Sequence, residues 1–384
     1  MSELEFLKPI NSVLLNALYN LATPYLGKKV IFHSETEVPD LDKIEIAILG
    51  VLENRGEGNE NKNHNLDDFR MQLYSLFPGN WSQSIADLGD LLPGETLEDT
   101  YFALKEICAG LIRRKIIPIV IGGTQDLTYA IYRSYDSLEQ MVNLAVIDNK
   151  FDLMISEKTH PKESYLNRII LEEPNNLFSF SNIGYQTYFN SQEQLDLLEK
   201  LYFDAFRLGE IIKDHTIAEP ILRDADIVSF DMNAVKSETS GNLKEFNPNG
   251  FDGIQICTLA RYSGISDKVS CFSVFNHQYS KNESILLSQI VWYFIEGVHL
   301  RSQEYPFGSH CNYFKYIVPI EDEELIFYKS DKTDRWWIEI PKINKNYNNS
   351  ATNSLLPCSK EDYLAACNQE YPERYWKAQR KQIV

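Results

Sequence analysis

The stretch from Ile116 to Leu153 constrains the fold more than any other part of the chain. It contains two apolar runs, Ile116–Ile121 and Leu144–Ile147, which are continuously hydrophobic rather than alternating. Strands of this kind are buried on both faces, as in a parallel sheet covered by helices. Each run ends in a polar turn, and such turns lie side by side at the carboxyl edge of an open parallel sheet. The stretch therefore predicts an α/β fold with a candidate site at that edge.

The rest of the chain continues this alternation of strands and helices. Thr96 and Asp99 have the spacing of a capping box, after which apolar residues recur on one helical face. The pattern predicts a three-layer α/β fold, with a mostly parallel sheet flanked by helices. Further strands are predicted at Ile44–Val51, Ile85–Asp90, Asp226–Phe230 and Val269–Phe275. Further helices are predicted at Leu66–Leu76, from Leu127, at Ser191–Ile212, at Gly253–Tyr262 and at Ser284–His299, whereas Leu153–Asn190 resembles a loop.

The two ends of the chain do not continue the alternation of buried strands and helices that is typical of its centre. We predict an N-terminal helical appendage over residues 1–43, with an amphipathic helix near Ile10–Leu21 and a short strand at Val30–His33. Residues 44–300 form the predicted core. Residues 301–384 form a small C-terminal α+β extension, the best candidate surface for a protein partner. Its predicted elements are strands at Tyr313–Pro319, Glu324–Tyr328 and Arg335–Pro341, a polar linker at Asn344–Asn353, and a helix at Glu361–Arg380.

Charge and cysteine content exclude several classes of function. The net charge of −18 opposes binding to nucleic acid, whose phosphates need a basic surface. No apolar run approaches the roughly 20 residues that span a bilayer, so membrane insertion is not expected. Glu3 and Glu5 stand where a signal peptide would carry basic residues. The six cysteines are scattered without a CxxC pair, so buried free thiols in a reducing cytoplasm are expected.

Three predicted strand ends carry polar turns, two of them acidic. They read Gly122-Gly123-Thr124-Gln125, Asp148-Asn149-Lys150-Phe151-Asp152 and Ser229-Phe230-Asp231-Met232-Asn233. In their order and context these turns resemble the ureohydrolase superfamily of arginases, agmatinases and formimidoylglutamases, and most of all its formimidoylglutamase-like branch. Family members carry Gly-Gly-x-His, Asp-x-His-x-Asp and Ser-x-Asp-x-Asp turns at these places. The resemblance implies an arginase-like fold over residues 44–300, a two-manganese centre and a homo-oligomer.

The departures from this pattern are chemically severe. Gln125 and Lys150 stand where the resemblance implies histidines, and Asn233 stands where it implies an aspartate. A lysine ammonium repels a cation and has no lone pair for it, while the two amides are weak neutral ligands. A family glutamate that holds the substrate aligns with Val274. We therefore expect that no manganese is bound, and that Lys150 pairs instead with Asp148, Asp152 or Asp231.

Two hypotheses of function follow. The first is a pseudoenzyme of arginase fold that has lost its dimanganese centre and has a binding, structural or assembly role, with no cofactor and no assigned catalytic residue. The alternative is a hydrolase of C–N bonds in linear amidines, with a single Mn or Mg held by Asp148, Asp152 and Asp231. Chemistry with Lys150 as base or nucleophile is disfavoured, because neighbouring carboxylates raise the pKa of an amine.

Simpler interpretations apply to several other residues. An aspartate at a strand end is often a helix cap, so only the co-occurrence of the three turns favours a site. His160 and His277 could approach the cleft, but ordinary loop positions are the better interpretation. A packed hairpin is expected for Trp336-Trp337. The long polar loop at Leu52–Asn65 is either functional or disordered.

Overall fold

The computed structural model describes residues 3–58, 64–138, 140–154, 159–304, 312–321, 323–341 and 354–381. Most of its strands belong to one large sheet, and four form a second, smaller sheet. The strands are β1 Leu7–Lys8, β2 Val30–Phe32, β3 Ile46–Val51, β4 Ile85–Leu91, β5 Ile117–Ile121, β6 Val142–Ile147, β7 Leu177–Tyr185, β8 Asp204–Arg207, β9 Ile227–Asp231, β10 Cys271–Phe275, β11 Tyr313–Ile320, β12 Glu323–Ser330, β13 Trp336–Ile340 and β14 Ser354–Cys358.

The large sheet has ten strands in the order β1-β4-β3-β5-β10-β9-β6-β7-β8, with β2 also paired to β4. Every pairing in it is parallel except that of β1 with β4. The central strands β3, β5, β6, β9 and β10 are buried along their whole length. This is the reason that they read as unbroken apolar runs in the sequence.

Helices cover both faces of the sheet and complete two apolar layers. The layer on one face includes α1, α2, α10 and α11, and that on the other includes α3, α4 and α5. The helices are α1 Ser12–Tyr19, α2 Asp67–Tyr74, α3 Leu97–Arg113, α4 Leu127–Arg133, α5 Tyr165–Leu171, α6 Gln192–Lys200, α7 Leu208–Lys213, α8 Ala218–Asp224, α9 Ser237–Ser240, α10 Gly253–Ile265, α11 Lys281–His299, α12 Lys360–Cys367 and α13 Glu373–Lys381. The predicted three-layer α/β class is confirmed.

Two segments of the core differ from the prediction. The stretch at Leu153–Asn190, expected to be a loop, contains helix α5 and the nine-residue strand β7. The helix expected at Ser191–Ile212 is divided into α6, the edge strand β8 and α7. The division follows Tyr202, whose φ of +56° no helix can accommodate. The apolar face that suggested one helix therefore belongs to three elements.

The C-terminal extension is an antiparallel sheet in the order β11-β12-β13-β14, packed with α12 and α13. Trp336 and Trp337 lie buried in β13. The predicted single helix at Glu361–Arg380 is two helices, because Pro372 keeps the residue before it out of helical conformation. The predicted linker at Asn344–Asn353 lies outside the described residues.

Arg223 of α8 joins the extension to the core. Its guanidinium donates to the carbonyl oxygens of Trp336 and Cys358 at 3.1 Å and lies 4.6 Å from the ring centre of Trp337. Glu219, one helical turn earlier, accepts an ion pair from Arg223 at 2.9 Å. The buried charge is thus paired, and it satisfies backbone oxygens of β13 and β14.

Two expectations drawn from composition can be compared with the described residues. No described helix is both long and apolar enough to cross a membrane. Cys108, Cys257, Cys271 and Cys358 are buried free thiols, and Cys367 is exposed. Cys311 lies outside the described residues.

Candidate functional site

The carboxyl ends of four adjacent strands define the candidate site. The strands β5, β10, β9 and β6 are neighbours in the sheet, in this order. The turn after β5 carries Gln125, the turn after β6 carries Asp148 to Asp152, and β9 ends at Asp231. The fold therefore brings the three motifs together, as their position after parallel strands predicts.

The two glycines of the first turn are required by its backbone. Gly122 and Gly123 have φ values of +92° and +77°. A Cβ on Gly123 would lie 2.7 Å from the carbonyl oxygen of Glu53 and 2.4 Å from a methyl carbon of Leu127. The turn is fixed by hydrogen bonds from Gly122 N to the Val274 oxygen and from Gly123 N to the Tyr279 hydroxyl. Only glycine satisfies these conditions.

Asp148 and Asp152 form the buried carboxylate pair of the second turn. Asp148 Oδ1 accepts the backbone N–H of Lys150 at 2.9 Å, whereas Oδ2 has no partner among the described residues. Burial and the nearby charges of Asp231 and Asp152 hold the pKa of Asp148 well above its usual range. Burial and Asp231 likewise raise the pKa of Asp152 to about 8. The two carboxyl groups repel each other and also Asp231.

Asp231 is the best-satisfied carboxylate of the site. Its Oδ1 accepts the backbone N–H of Asn233 at 2.7 Å, and its Oδ2 accepts Asn276 Nδ2 at 2.9 Å. Burial raises its pKa to about 6, while these hydrogen bonds and the charges of Lys162 and Lys150 oppose the rise. The site thus concentrates three acidic groups in a space where their ionised forms are disfavoured.

The three altered motif positions differ in burial and in hydrogen bonding. Gln125 is fully buried, and neither its Oε1 nor its Nε2 has a partner among the described residues. Asn233 keeps its Oδ1 unpaired. Lys150 is exposed, and its ammonium lies 5.7 Å from the ring centre of Phe189.

The expected ion pair of Lys150 is not formed. No ion pair within 4 Å joins it to Asp148, Asp152 or Asp231 in the described part of the chain. Its charge lowers the pKa values of these carboxyl groups only from a distance. The predicted ion pair is absent because the Lys150 side chain packs near the ring of Phe189, which lies 39 residues further along the chain.

A cleft of about 320 Å³ opens above these turns. This volume is at the lower end of the range for small-molecule sites. Its wall combines carboxylates, amides, two lysines and two phenylalanines. The lining residues are Asn149, Lys150, Asp152, Lys162, Glu163, Phe189, Asp231, Asn233, Glu245, Phe246, Asn247 and Asn276.

Several of these residues were not anticipated from the sequence. Asn276, which holds Asp231, has a φ of +58°, a conformation that asparagine tolerates better than most residues. The sequence prediction for this segment concerned Val274 and His277, of which Val274 is a fully buried core residue of β10. Lys162 forms ion pairs with Glu57 at 3.0 Å and Glu245 at 3.6 Å, and so connects loops across the mouth of the cleft.

The remaining candidates have structural environments. The His160 ring packs against Gly58, where an added Cβ would lie 2.2 Å from it. His277 is buried with Nε2 at 3.3 Å from Ser284 Oγ, and burial with the nearby His64 lowers its pKa to about 3. The buried Asp126 accepts a hydrogen bond from the Tyr101 hydroxyl behind the first turn.

Comparisons with known proteins show which solved structures have a similar fold. No protein-family model matches the chain, and no curated protein matches its sequence. Among solved structures, it is similar to Trypanosoma cruzi formiminoglutamase with Mn²⁺, at 17% identity and a TM-score of 0.61 over 69% of this chain and 97% of the other. It is also similar to formimidoylglutamase from Bacillus subtilis, at 13% identity and a TM-score of 0.60 over 76% and 100% of the two chains. Agmatine ureohydrolase of Thermoplasma volcanium gives 15% identity and a TM-score of 0.56 over 74% and 97%. The arginase-like fold is thereby shown.

The same comparison corrects the expectation of a cofactor-free protein. A structurally similar formiminoglutamase contains manganese, so manganese is the cofactor to which this fold points, and the expectation of none is contradicted. The expectation rested on Gln125, Lys150 and Asn233, whereas the same site still contains three carboxyl groups that repel one another when ionised.

The donors present here can be tested against the two-manganese centre that the resemblance implies. In the described part of the chain, no group of three or more His, Cys, Asp or Glu side chains is arranged to hold a metal ion. The buried side-chain atoms without a partner at the motif positions are Asp148 Oδ2, both amide atoms of Gln125 and Asn233 Oδ1. This set lacks imidazoles and does not fit two manganese ions, so no reaction step is derived through such a centre.

Proposed function

We propose that this chain is an arginase-fold binding protein that has lost the two-manganese centre and holds a single manganese ion, around which Asp148, Asp152 and Asp231 must close because the described residues form no ready-made metal-binding group. The position of Lys150 carries the proposal. Lysine has no imidazole to bind a metal ion. Its ammonium lies near Phe189 and forms no close ion pair with Asp148, Asp152 or Asp231 in the described part of the chain. The clustered negative charge is left for one small cation, with the amide oxygens of Gln125 and Asn233 as neutral ligands.

The loss of the second ion accounts for the proposed loss of hydrolysis. A two-metal hydrolase uses both cations to acidify water and to stabilise the attacking and leaving atoms. Carboxylates and imidazoles provide the strong ligands for such ions. Here the altered positions contribute two neutral amides and a lysine that leaves the cluster. The cleft is therefore proposed to bind a small polar ligand without cleaving it.

Metal stoichiometry and an activity assay test this proposal together. The purified chain, dialysed against manganese, is expected to retain one ion, and it is expected not to hydrolyse formiminoglutamate or agmatine in excess manganese. A triple variant with Gln125→His, Lys150→His and Asn233→Asp restores the donors that the resemblance implies. It is expected to retain two ions. Two ions in the wild-type chain, with hydrolysis, would refute the proposal.

A second candidate function is hydrolysis of C–N bonds in linear amidines at a single-metal site. The buried Asp148 Oδ2, which has no partner among the described residues, favours it. Urea or formamide release that requires manganese and is abolished by Asp148→Ala would support this function. Wild-type protein that stays inactive on formiminoglutamate, arginine and agmatine with added manganese would eliminate it.

We also infer the assembly of the chain from the resembled family and its location from its cysteine content. Homo-oligomerisation in the cytoplasm, three units at residues 1–43, 44–300 and 301–384, and a protein partner at the last of them remain proposals. The exposed Phe314 and Ile317 of β11 support the choice of this surface. Light scattering of the full chain against a chain truncated at residue 300 measures its contribution to assembly.

A further inference from the structure

A second cavity lies where the C-terminal extension packs on α8 of the core, and it shares no lining residue with the cleft. We call it the joint cavity. Its volume of about 430 Å³ is within the range of small-molecule sites. Four cationic side chains and three carboxylates line it, although the whole chain has a net charge of −18. The cations are Arg223, Lys329, Arg335 and Lys360, and the carboxylates are Glu219, Asp334 and Glu361. This local excess of positive charge favours an anionic ligand.

Arg335 is a largely buried cation of this wall with few partners. Its side chain is 13% exposed, and its Nε lies 3.5 Å from Glu219 Oε1. The same carboxylate oxygen pairs more closely with Arg223 Nε, at 2.9 Å. In the described part of the chain, no group accepts a hydrogen bond from the Nη1 or Nη2 atoms of Arg335. A guanidinium in such a place is costly unless an oxyanion pairs with its N–H groups.

The three lining carboxylates do not provide that oxyanion. Glu219 is already shared between two guanidinium groups. Asp334 is 81% exposed and forms an ion pair with Lys329 at 2.6 Å. Glu361 is exposed and also lines the neighbouring cavity beside α7. The joint cavity therefore contains more hydrogen-bond donors than its own acceptors satisfy.

Two other donors line the same cavity. The hydroxyl group of Tyr262, on α10 of the core, has no hydrogen-bond partner among the described residues. Burial and the nearby Glu219 raise the pKa of Tyr262, so its hydroxyl group remains a donor at neutral pH. Lys360, at the start of α12, is exposed and forms no ion pair in the described ranges. The donors thus come from both the core and the extension.

We propose that the joint cavity binds a small molecule through an oxyanion group, a carboxylate or a phosphate, held by Arg335 with Tyr262 and Lys360 as further donors. The planar fork of a guanidinium matches both kinds of oxyanion with two parallel hydrogen bonds. This site is separate from the strand-end cleft and does not depend on the metal proposed there. Because its donors belong to the core and to the extension, the bound anion stabilises the packing of one on the other.

Calorimetric titrations of the full chain at low salt, one with inorganic phosphate and one with succinate, test the proposal and distinguish the two oxyanions. At least one probe is expected to bind and to raise the midpoint of thermal unfolding. Arg335→Gln is expected to weaken its binding about ten- to hundredfold, the range for hydrogen bonds to a charged group. Arg335→Lys keeps the charge but not the fork, so it is expected to weaken binding less than Arg335→Gln does.

The matched control is Arg113→Gln, which removes the same charge from an exposed position on α3 and is expected to leave both titrations unchanged. Should Arg335→Gln fail to fold, Lys360→Gln replaces it, since that exposed side chain is not needed for folding and its loss is expected to weaken binding about two- to fivefold. No binding of either probe would overturn the proposal. So would binding that Arg335→Gln, or Lys360→Gln in its place, leaves unchanged, because the anion would then lie elsewhere, and so would equal weakening by Arg113→Gln, because the effect would then be one of net charge.

Discussion

Asp231→Asn is predicted to make the metal-free protein more stable. The pKa of Asp231 rises from an ordinary 3.8 to about 6 in the folded chain, chiefly through burial. A shift of this size corresponds to about 3 kcal/mol of folding free energy lost once the group ionises. The variant avoids this penalty. It also keeps its hydrogen bonds, because Asn276 can turn its unpaired Oδ1 toward the new amide nitrogen.

The sign of the pH dependence follows from linkage. Because the folded-state pKa of Asp231 lies above the unfolded value, protonation stabilises the native chain below about pH 6. This contribution is lost as the pH rises through 6. The advantage of Asp231→Asn should therefore be about 1 kcal/mol at pH 4.5 and approach about 3 kcal/mol at pH 8, an upper value because coupling to Asp148 and Asp152 redistributes the cost.

Urea denaturation with EDTA at both pH values measures this difference. Asp331→Asn, at an exposed aspartate of the extension, is the matched control and should change the free energy of unfolding by less than about 0.5 kcal/mol. The same Asp231→Asn variant should lose affinity for manganese. A variant that is no more stable than wild type at pH 8, or equally stabilised at both pH values, would refute the electrostatic reasoning.

Three further substitutions test the scaffold of the site. Gly123→Ala should destabilise the chain by roughly 1–3 kcal/mol in urea titrations, because its φ is +77° and a Cβ meets Glu53 O at 2.7 Å; Gly209→Ala, with open space around it, is the control. Arg223→Met should cost about 1–3 kcal/mol, seen in the fluorescence of the adjacent tryptophans, because it removes the side-chain donor of two buried carbonyl oxygens and leaves Glu219 with Arg335 alone. A loss below 1 kcal/mol would show that the extension does not depend on this anchor. Asp226→Asn should remove a fall in stability between pH 4 and 7, because burial raises the pKa of Asp226 to about 6; an unchanged pH profile would contradict that environment.

The fold could be predicted for strands that are buried on both faces, and the prediction failed for strands that are partly exposed. The central strands are apolar along their whole length, so the sequence predicts them as buried strands that alternate with helices. Strand β7 begins with half-exposed residues, and β8 is a four-residue edge strand, so neither gives a periodic signal. Strand β14 was not predicted. It contains Pro357, a residue that argues against a strand in general but that sheets tolerate at an edge.

The site shows the same division between local and distant information. The residues of the three turns, and their meeting at one edge of the sheet, follow from their place after parallel strands. The direction of Lys150 depends on Phe189, and the support of Asp231 depends on Asn276, both far away in sequence. Local patterns contain no information on such contacts. The expectation that no metal is bound is contradicted by the manganese of a structurally similar formiminoglutamase, a comparison that the residues of this chain alone do not provide.

The number of manganese ions per chain tests the central claim most directly. Purified wild-type protein is to be equilibrated with manganese, freed of unbound ion by dialysis and measured by elemental analysis, with Asp148→Ala as its control. One ion per wild-type chain is expected, and fewer in the variant. Two ions per chain would show that Gln125, Lys150 and Asn233 still support the two-metal centre and would contradict the account, and a chain that retains none would contradict the single site.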